Sequence, residues 1–325
     1  MVILKYMIRL KNKYKGKSAI NIMGGPSILE KRLDLSRINK DTYTVFLESK
    51  ALTPKFLEFG IRPDFFLIFF TEKCQSNSFQ HVVYQSFLID FDLSRLLKNE
   101  YLKEYLYFKE NFEEYFEPWS PKKGLFKKYR WKRNVKLPNS PFDLLHKFPE
   151  TSFITHARTK KADVDMLAEF KNNLFVYDDK YTDGEFCLAR YYNPIEIDNR
   201  LVLNTFNHLN SAAIALFSLQ AHMGFEKIYF IGMDMSMLGS MEYSALYTFK
   251  SLKAYEKFFK KATAVFNPCF KRNKNKFMRP PYEFDDMKEV LGYDKIEFVN
   301  VYEPFEFAMP LKGIRNITFK EFLNE

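Results

Sequence analysis

Cysteine is scarce in this chain of 325 residues, and its spacing excludes two kinds of small fold. Cys74, Cys187 and Cys269 stand far apart, with no Cys-x-x-Cys pair and no paired histidines nearby. A disulfide framework or a structural zinc site needs closely patterned cysteines. The sequence therefore predicts neither, and a reducing cytoplasm is the compartment that this cysteine usage favours.

Long apolar runs are missing from the sequence as well. A membrane-spanning helix needs about eighteen or more consecutive apolar residues, and no run in the chain reaches that length. Residues 1–10 are apolar with interspersed basic residues, but they are too short to span a bilayer and lack a small-residue cleavage site, so we predict no secretory signal. We expect a cytoplasmic protein, with any membrane contact peripheral and at the inner face.

The chain is rich in apolar and aromatic residues. Apolar residues make up 46% of the sequence and aromatic residues 18%, including 36 phenylalanines, which excludes disorder and provides a large core. A chain of this length fits one large α/β domain. We assign residues 19–310 to that domain, residues 1–18 to a basic N-terminal extension and residues 311–325 to a C-terminal tail.

The balance of charge is basic. Fifty Lys and Arg residues against forty Asp and Glu give a formal net charge of +10, which favours nucleotides, nucleic acid or an acidic membrane surface as partners. The alternative is that the positive charge reflects a general lysine bias of composition and does not indicate a partner. The densest basic cluster surrounds Tyr129 and Trp131 and contains Lys122, Lys123, Lys127, Lys128, Arg130, Lys132, Arg133 and Lys136. A solvated face, a membrane contact and base stacking all fit this cluster, and nucleic acid ranks last.

Short apolar runs rich in β-formers alternate with helical stretches along the chain. Strands that alternate with helices imply right-handed crossovers and a parallel sheet. We therefore predict an α/β fold with a doubly wound, mostly parallel, Rossmann-like sheet. The predicted strands are residues 19–23, 44–47, 65–69, 87–89, 152–155, 174–177, 227–231 and 296–301.

The clearest helix–strand unit occupies residues 210–234. Residues 210–224 predict a helix with Gly224 as its C-terminal cap, and the strand at 227–231 ends at Gly232-Met233-Asp234. Asp234 therefore follows the carboxyl end of a central parallel strand, where open α/β sheets bind their ligands. A carboxylate there can bind ribose hydroxyls or Mg²⁺, or it can only cap the next turn. The neighbouring Gly232 favours a binding role, because glycine lets a ligand approach the backbone closely.

The turn Gly24-Gly25-Pro26-Ser27 follows the first predicted strand of the domain and precedes a helix that we expect to begin near Ile28, with Ser27 as its N-cap. Glycines and a helix N-terminus form a cradle for a phosphate. The same residues also suit a purely structural strand-to-helix turn. No Gly-Lys-Ser/Thr follows, so the turn is not a P-loop.

Two segments interrupt the alternation of strands and helices, and we predict that both are insertions. Residues 100–148 begin as an acidic, aromatic helical stretch and then become basic. Residues 237–287 are rich in Tyr, Phe and Lys and show few clean amphipathic repeats. Because the second insertion follows Asp234 directly, we predict that it forms a mobile lid over the carboxyl edge of the sheet.

Two of these stretches resemble the bacterial lipooligosaccharide sialyltransferases. The matching pieces are Gly25-Pro26-Ser27 and the run from Asn210-Ser211 through Gly224 to Gly232-Met233-Asp234. They are also similar to a related domain family of flagellin-glycosylation accessory factors and archaeal hydroxymethylpterin pyrophosphokinases. In this chain, Arg62-Pro63-Asp64-Phe65 resembles the strand-entry motif of that second family.

The resemblance implies a nucleotide-sugar site at the carboxyl edge of the sheet and two catalytic tyrosines in the lid. Tyr243 and Tyr247 occupy the place of lid tyrosines that assist the departing nucleotide phosphate, although packing is the alternative for both. The implied nucleotide-binding residues, taken with the turn and strand end described above, are Gly24, Gly25, Pro26, Ser27, Ser49, Asn210, Ser211, Gly232 and Asp234.

This sequence departs from the sialyltransferase pattern at three points. Gly24 and Ser49 stand where the family has asparagines, and no histidine follows His222 to serve as the general base of the lid. The base would have to come from a different residue. The candidates are Glu283, Asp285, Asp286 and His208.

The sequence therefore predicts a glycosyltransferase that moves a sugar from a nucleotide sugar, with a CMP-sugar favoured, to a cell-surface glycan or lipid-linked glycan. No metal and no further cofactor is required in this interpretation. The alternatives are a pyrophosphokinase-like nucleotidyl enzyme in which Asp234 binds Mg²⁺, and an inactive accessory protein that binds a glycan or nucleotide. An anionic membrane surface and a homo-oligomer remain open as partners.

Overall fold

In the computed structural model, sixteen stretches of the chain are described. They are residues 4–23, 25, 27–28, 31–48, 58–68, 78–119, 128–132, 146–156, 174–181, 195–197, 200–205, 212–233, 248–266, 295–304, 310–311 and 313–325.

The described residues form a large β-sheet of eleven strands and a separate two-stranded hairpin. The strands of the sheet are β1 (Leu4–Tyr6), β2 (Ser18–Ile22), β3 (Tyr43–Glu48), β4 (Phe65–Ile68), β7 (Ser152–His156), β8 (Leu174–Tyr181), β9 (Ile195–Ile197), β10 (Arg200–Thr205), β11 (Lys227–Ile231), β12 (Glu297–Val301) and β13 (Arg315–Ile317). The hairpin consists of β5 (Phe116–Trp119) and β6 (Lys128–Trp131).

The strand order in the sheet is β13-β12-β11-β2-β3-β4-β7-β8-β10-β9, with β1 also beside β8. All of these neighbours are parallel except β9 and β10, which pair antiparallel. The predicted α/β fold with a mostly parallel sheet is therefore confirmed.

Seven of the eight predicted strands are present, and the prediction of a strand at residues 87–89 is wrong. Residues 87 and 88 end helix α1 (Ser78–Leu88), and residue 89 follows it in a turn instead of forming a strand. Phe79, Val82, Val83 and Ser86 are buried along this helix, at the spacing of one helical face. A three-residue apolar run could not distinguish the end of that helix from a strand.

The remaining helices are α2 (Asn99–Glu110), α3 (Phe112–Tyr115), α4 (Ala212–Met223), α5 (Leu252–Phe266) and α6 (Phe319–Phe322). Two short 3-10 helices, Met7–Leu10 and Leu35–Arg37, are also present. No helix in the described part of the chain combines the length and the apolar character that crossing a bilayer requires.

Two hydrophobic cores lie on opposite faces of the sheet, because successive side chains of a strand point to opposite sides. On β11, Tyr229 and Ile231 belong to the first core, whereas Ile228 and Phe230 belong to the second. Helices α1, α2, α5 and α6 cover the first face, and α4 covers the second. Strands buried on both faces explain why the predicted strands are nearly continuous apolar runs.

Helix α4 ends as the sequence predicts. Gly224 has a φ of 89°, and the Phe225 N–H donates to the Gln220 carbonyl oxygen at 3.1 Å, which is the Schellman arrangement. A Cβ at Gly224 would also lie 3.0 Å from the Asn12 Cα. Backbone conformation and close packing therefore both require glycine at this position.

Segments near both ends of the described chain pack into the sheet, including residues before 19 and after 310. Strand β1 pairs with β8, and the Tyr14 ring stacks on Phe225 with centroids 4.9 Å apart. At the other end, β13 joins the sheet and α6 buries Phe319 and Phe322. A basic or short terminal sequence does not reveal such pairing, because the partner residues are far away in the chain.

The predicted insertion at 100–148 contains α2, α3 and the hairpin, and its described residues are packed against the first face. Tyr105, Phe108 and Tyr115 are buried there. Tyr129, one of the two aromatic residues of the basic cluster, is half-buried with its ring 4.9 Å from Phe112. Tyr129 therefore contributes to packing.

Residues 248–266 lie within the predicted lid and form a packed element. The Lys98 N–H donates to the Thr248 carbonyl oxygen at 2.8 Å, and α5 buries Tyr255, Phe258 and Phe259. Helix α5 is one clear amphipathic repeat within this segment. The rest of 237–287 lies outside the described residues, where the lid stays a prediction.

Candidate functional site

The order of the strands reverses between β2 and β11. From β2 the chain proceeds through β3, β4, β7 and β8 to β10 on one side, and it then returns to β11 on the other side and continues to β12 and β13. Ligands of open α/β sheets bind outside the carboxyl ends of the strands at such a reversal. The candidate site therefore lies where β2 and β11 end.

The structure brings together the ends of the two strands that precede Gly25 and Gly232. Ile22 and Ile231 are partners in the pairing of β2 with β11, and the Met23 N–H donates to the Ile231 carbonyl oxygen at 2.9 Å. The glycine-containing turn follows Met23, and Gly232 follows Ile231. Segments about 200 residues apart in sequence thus begin side by side at one edge of the sheet.

A helical turn follows at residues 27–28, where the sequence predicts that a helix begins. Ser27 and Ile28 are helical, and the Ser27 carbonyl oxygen accepts the Lys31 N–H at 3.0 Å. Arg32 then has a φ of 48°, and the Leu33 N–H donates to the Ile28 carbonyl oxygen at 3.0 Å, which ends the helix. Ser27 lies within this turn of helix, not before it as an N-cap would, and both Gly25 and Ser27 are buried.

The backbone at Gly232 is closely approached, and the atoms that approach it belong to Met23 and Ile28, at the turn after β2. Its φ is 76°, and a Cβ at this position would lie 2.6 Å from the Ile28 Cδ1 and 3.0 Å from the Met23 carbonyl oxygen. Glycine is therefore required for packing between the two ends of the strands. This contact holds the turn against the end of β11.

Helix α4 is joined to the same region by a buried pair of amides. The Asn21 Nδ2 donates to the Gln220 Oε1 at 3.0 Å, and the Gln220 Nε2 donates to the Asn21 Oδ1 at 2.6 Å. Because α4 ends next to the amino end of β11, its N-terminus points towards the carboxyl edge of the sheet. Asn21 is near the end of β2, just before the glycine-containing turn. The pair therefore fixes α4, the helix that follows residues 210–211, against the strand that leads into this turn.

Sequence reasoning did not single out Asn21, Gln220 or Glu104. Glu104 is a half-buried carboxyl group on α2; burial raises its pKa, and the hydrogen bond from the Gln80 Nε2 at 3.3 Å opposes that shift. A signal was present in the sequence, because Glu104 follows Tyr101 by three residues and precedes Phe108 by four. This spacing places a carboxylate on an apolar helix face.

The other predicted site residues lie outside the described part of the chain. This applies to Gly24, Pro26, Ser49, Asn210, Ser211, Asp234, Tyr243 and Tyr247, and to the candidate bases His208, Glu283, Asp285 and Asp286. Their roles stay predictions. Within the residues that the structure describes, no group of three or more His, Cys, Asp or Glu side chains is arranged to hold a metal ion.

Comparison with known proteins gives no relative for this chain: no protein-family model, no curated protein and no solved structure matches it.

Proposed function

We propose that this protein is a nucleotide-sugar-dependent glycosyltransferase, similar to the sialyltransferases, that adds a sugar to a cell-surface or lipid-linked glycan. One observation carries the proposal: strand β2, which leads into the turn with Gly25 and Ser27, and strand β11, which leads to Gly232, pair and end side by side where the strand order reverses. That point is the ordinary ligand site of doubly wound sheets.

The proposal includes a finer description of the fold as a doubly wound, Rossmann-like nucleotide-binding domain. Its support is the reversal of strand order between β2 and β11, together with helices on both faces of the parallel sheet. In such a domain the nucleotide lies across the ends of the two central strands. The turn that contains Gly25 and Ser27 would lie on one side of that crevice, and Asp234 on the other.

The proposed reaction is a displacement at the anomeric carbon of the donor sugar. An acceptor hydroxyl oxygen forms the new glycosidic bond as the bond from the anomeric carbon to the nucleotide phosphate oxygen breaks. The nucleotide leaves with both electrons of that bond, and a carboxylate or His208 takes the hydroxyl proton. Tyr243 and Tyr247 would donate hydrogen bonds to the leaving phosphate.

Thermal unfolding with CMP, UDP, GDP and ATP tests the nucleotide site. A ligand that binds only the native state at a hundred times its Kd stabilises the protein by about 2.7 kcal/mol, so the preferred nucleotide should raise Tm clearly. We expect CMP to give the largest shift. No shift with any of the four at millimolar concentration would contradict the proposal.

Asp234→Ala and Glu226→Ala form a matched pair for the same measurement. Each removes one carboxylate next to β11, but Asp234 follows its carboxyl end, whereas Glu226 is exposed before its amino end. The proposal expects Asp234→Ala to lose most of the nucleotide-dependent shift and Glu226→Ala to keep it. Equal shifts in both variants would remove Asp234 from the site.

A further inference from the structure

Helix α5 presents a face of lysines opposite the side that it buries. Tyr255, Phe258, Phe259 and Ala262 face the first core, whereas four lysines are exposed. At about 100° per residue these lysines fall within an arc of about 100°. They are Lys253, Lys257, Lys260 and Lys261.

Nothing in the described part of the chain neutralises the centre of this face. Lys253, Lys257 and Lys260 form no ion pair there, and Glu256, the only acidic residue of α5, forms none with them. Like charges four residues apart, such as Lys253 and Lys257, destabilise a helix by a few tenths of a kcal/mol. Among the described residues this positive surface is therefore uncompensated, which comes at some expense of stability.

The positive surface extends beyond the helix at one end and is weaker at the other. Lys250 is exposed, and its Nζ donates to the carbonyl oxygen of the exposed Arg95 at 3.4 Å. The Lys261 Nζ instead lies 5.3 Å from the centre of the Phe91 ring, next in sequence to the exposed carboxylates Asp90 and Asp92. Lys253, Lys257 and Lys260 are thus the centre of the surface.

We propose that this lysine face, together with Lys250 and Arg95, docks the protein on an anionic phospholipid bilayer. Charge complementarity carries the proposal, because each basic group close to such a bilayer attracts it. The apolar side of α5 is already packed in the core, so the helix cannot insert and the attachment is electrostatic. Binding should therefore weaken as salt rises.

A bilayer fits this face better than a single-stranded nucleic acid does. Binding of single strands relies on aromatic side chains that stack on bases. Among the described residues the large apolar side chains that are exposed are Leu106 and Tyr107, and both lie on α2. The lysine face has charge without a stacking platform, which suits a surface of phosphate headgroups.

This inference goes beyond the proposed function and can fail independently of it. Membrane docking would place the enzyme near a lipid-linked acceptor, but it requires no residue of the nucleotide site. Loss of docking should leave nucleotide-dependent stabilisation unchanged. Absence of nucleotide binding, in turn, would leave the docking measurement intact.

Co-sedimentation with phosphatidylcholine vesicles, with and without phosphatidylglycerol, tests the proposal on the full chain. The variant Lys253→Gln/Lys257→Gln/Lys260→Gln should lower partitioning onto the anionic vesicles about a hundredfold, which corresponds to about 3 kcal/mol. The matched control Lys13→Gln/Lys15→Gln/Lys31→Gln removes the same charge from other exposed positions. It should retain most of the binding, and a Lys→Arg version of the α5 variant should retain nearly all.

Three results would overturn the proposal. The first is no binding of the parent protein to anionic vesicles at low salt, and the second is an equal loss of vesicle binding in the α5 variant and in its control. The third is binding of the parent protein to duplex DNA that is tighter than its binding to vesicles and that is lost in the α5 variant but not in the control. The second result would indicate a response to net charge alone, and the third a nucleic-acid partner. Circular dichroism and thermal unfolding without ligand confirm that each variant is folded.

Discussion

Asn21 and Gln220, 199 positions apart in the sequence, exchange two side-chain hydrogen bonds in the interior, and neither residue is exposed to solvent. The pair joins the central strand β2 to α4. A buried amide must find partners within the protein, so two such groups that satisfy each other specify how the helix lies on the sheet. A placement of α4 that separated these two side chains would break both hydrogen bonds.

We predict that Asn21→Leu destabilises the protein by about 2 kcal/mol, because it leaves the Gln220 amide buried and unsatisfied. Gln220→Leu should cost a similar amount. The double variant should be more stable than the sum of the two losses implies, since replacing both partners removes the unsatisfied group. Urea unfolding of the four proteins measures this coupling, and strictly additive losses would show that the pair contributes no interaction energy.

Gly232→Ala should destabilise the protein by about 3 kcal/mol, from backbone strain and from overpacking against Ile28. Gly16→Ala is the matched control, because Gly16 has a φ of 77° but no other atom within 4 Å of the position that a Cβ would take. It should cost only the strain, about 1 kcal/mol. Adding Ile28→Val, which removes the Cδ1 atom, should recover part of the loss in Gly232→Ala but not in Gly16→Ala, as chemical unfolding would show.

The C-terminal segment should make stability depend on acid pH. Partial burial opposes ionisation of Glu325, but hydrogen bonds from Arg315, Tyr229 and Lys227 outweigh it and lower the pKa of its carboxyl from 4.5 to about 2. A lowered pKa in the folded state contributes stability above the unfolded value, and this contribution is lost as the pH falls from about 4.5 towards 2.

Glu325→Gln tests this pH dependence. The variant should be less stable than the parent by about 1 kcal/mol near neutral pH, as is typical of partly exposed ion pairs, and the difference should vanish near pH 2. Glu110→Gln, at an exposed carboxylate on α2, is the control and should change stability little at any pH. A pH-independent difference for Glu325→Gln would exclude the ion pairs as its cause.

Hydrogen exchange should divide the predicted lid into a fixed part and a remainder. Amides of residues 255–262 in α5 should exchange nearly as slowly as those of β11, because that helix buries its apolar face in the core. Bound nucleotide should slow exchange elsewhere in residues 237–287, if those residues close on the ligand. Rapid exchange throughout α5 would contradict the packing of the helix, whereas unchanged exchange outside it would remove the structural basis for Tyr243 and Tyr247 as catalytic residues.

Much of the fold can be predicted from local sequence patterns. The strands β2, β3, β4, β7, β8, β11 and β12 are apolar runs between helical stretches, and Gly224 marks the end of α4. Short or irregular strands escaped prediction, as β1 and β13 show, because three residues carry no periodicity. The end of α1 was mistaken for a strand for the same reason.

The candidate site also has features that the local sequence predicts and features that depend on tertiary structure. Glycine-containing turns after two apolar strands identify Gly25 and Gly232 as residues of interest, since the demands of a tight turn are local. That these two turns meet depends on β11 pairing with β2, which joins residues more than 200 positions apart and follows from the global strand order. The sequence by itself thus determined which segments are strands, helices and turns. Only the tertiary structure decided that Ile28 fills the space beside Gly232, that Asn21 meets Gln220 and that the chain ends join the sheet, because these contacts arise from the simultaneous packing of distant segments.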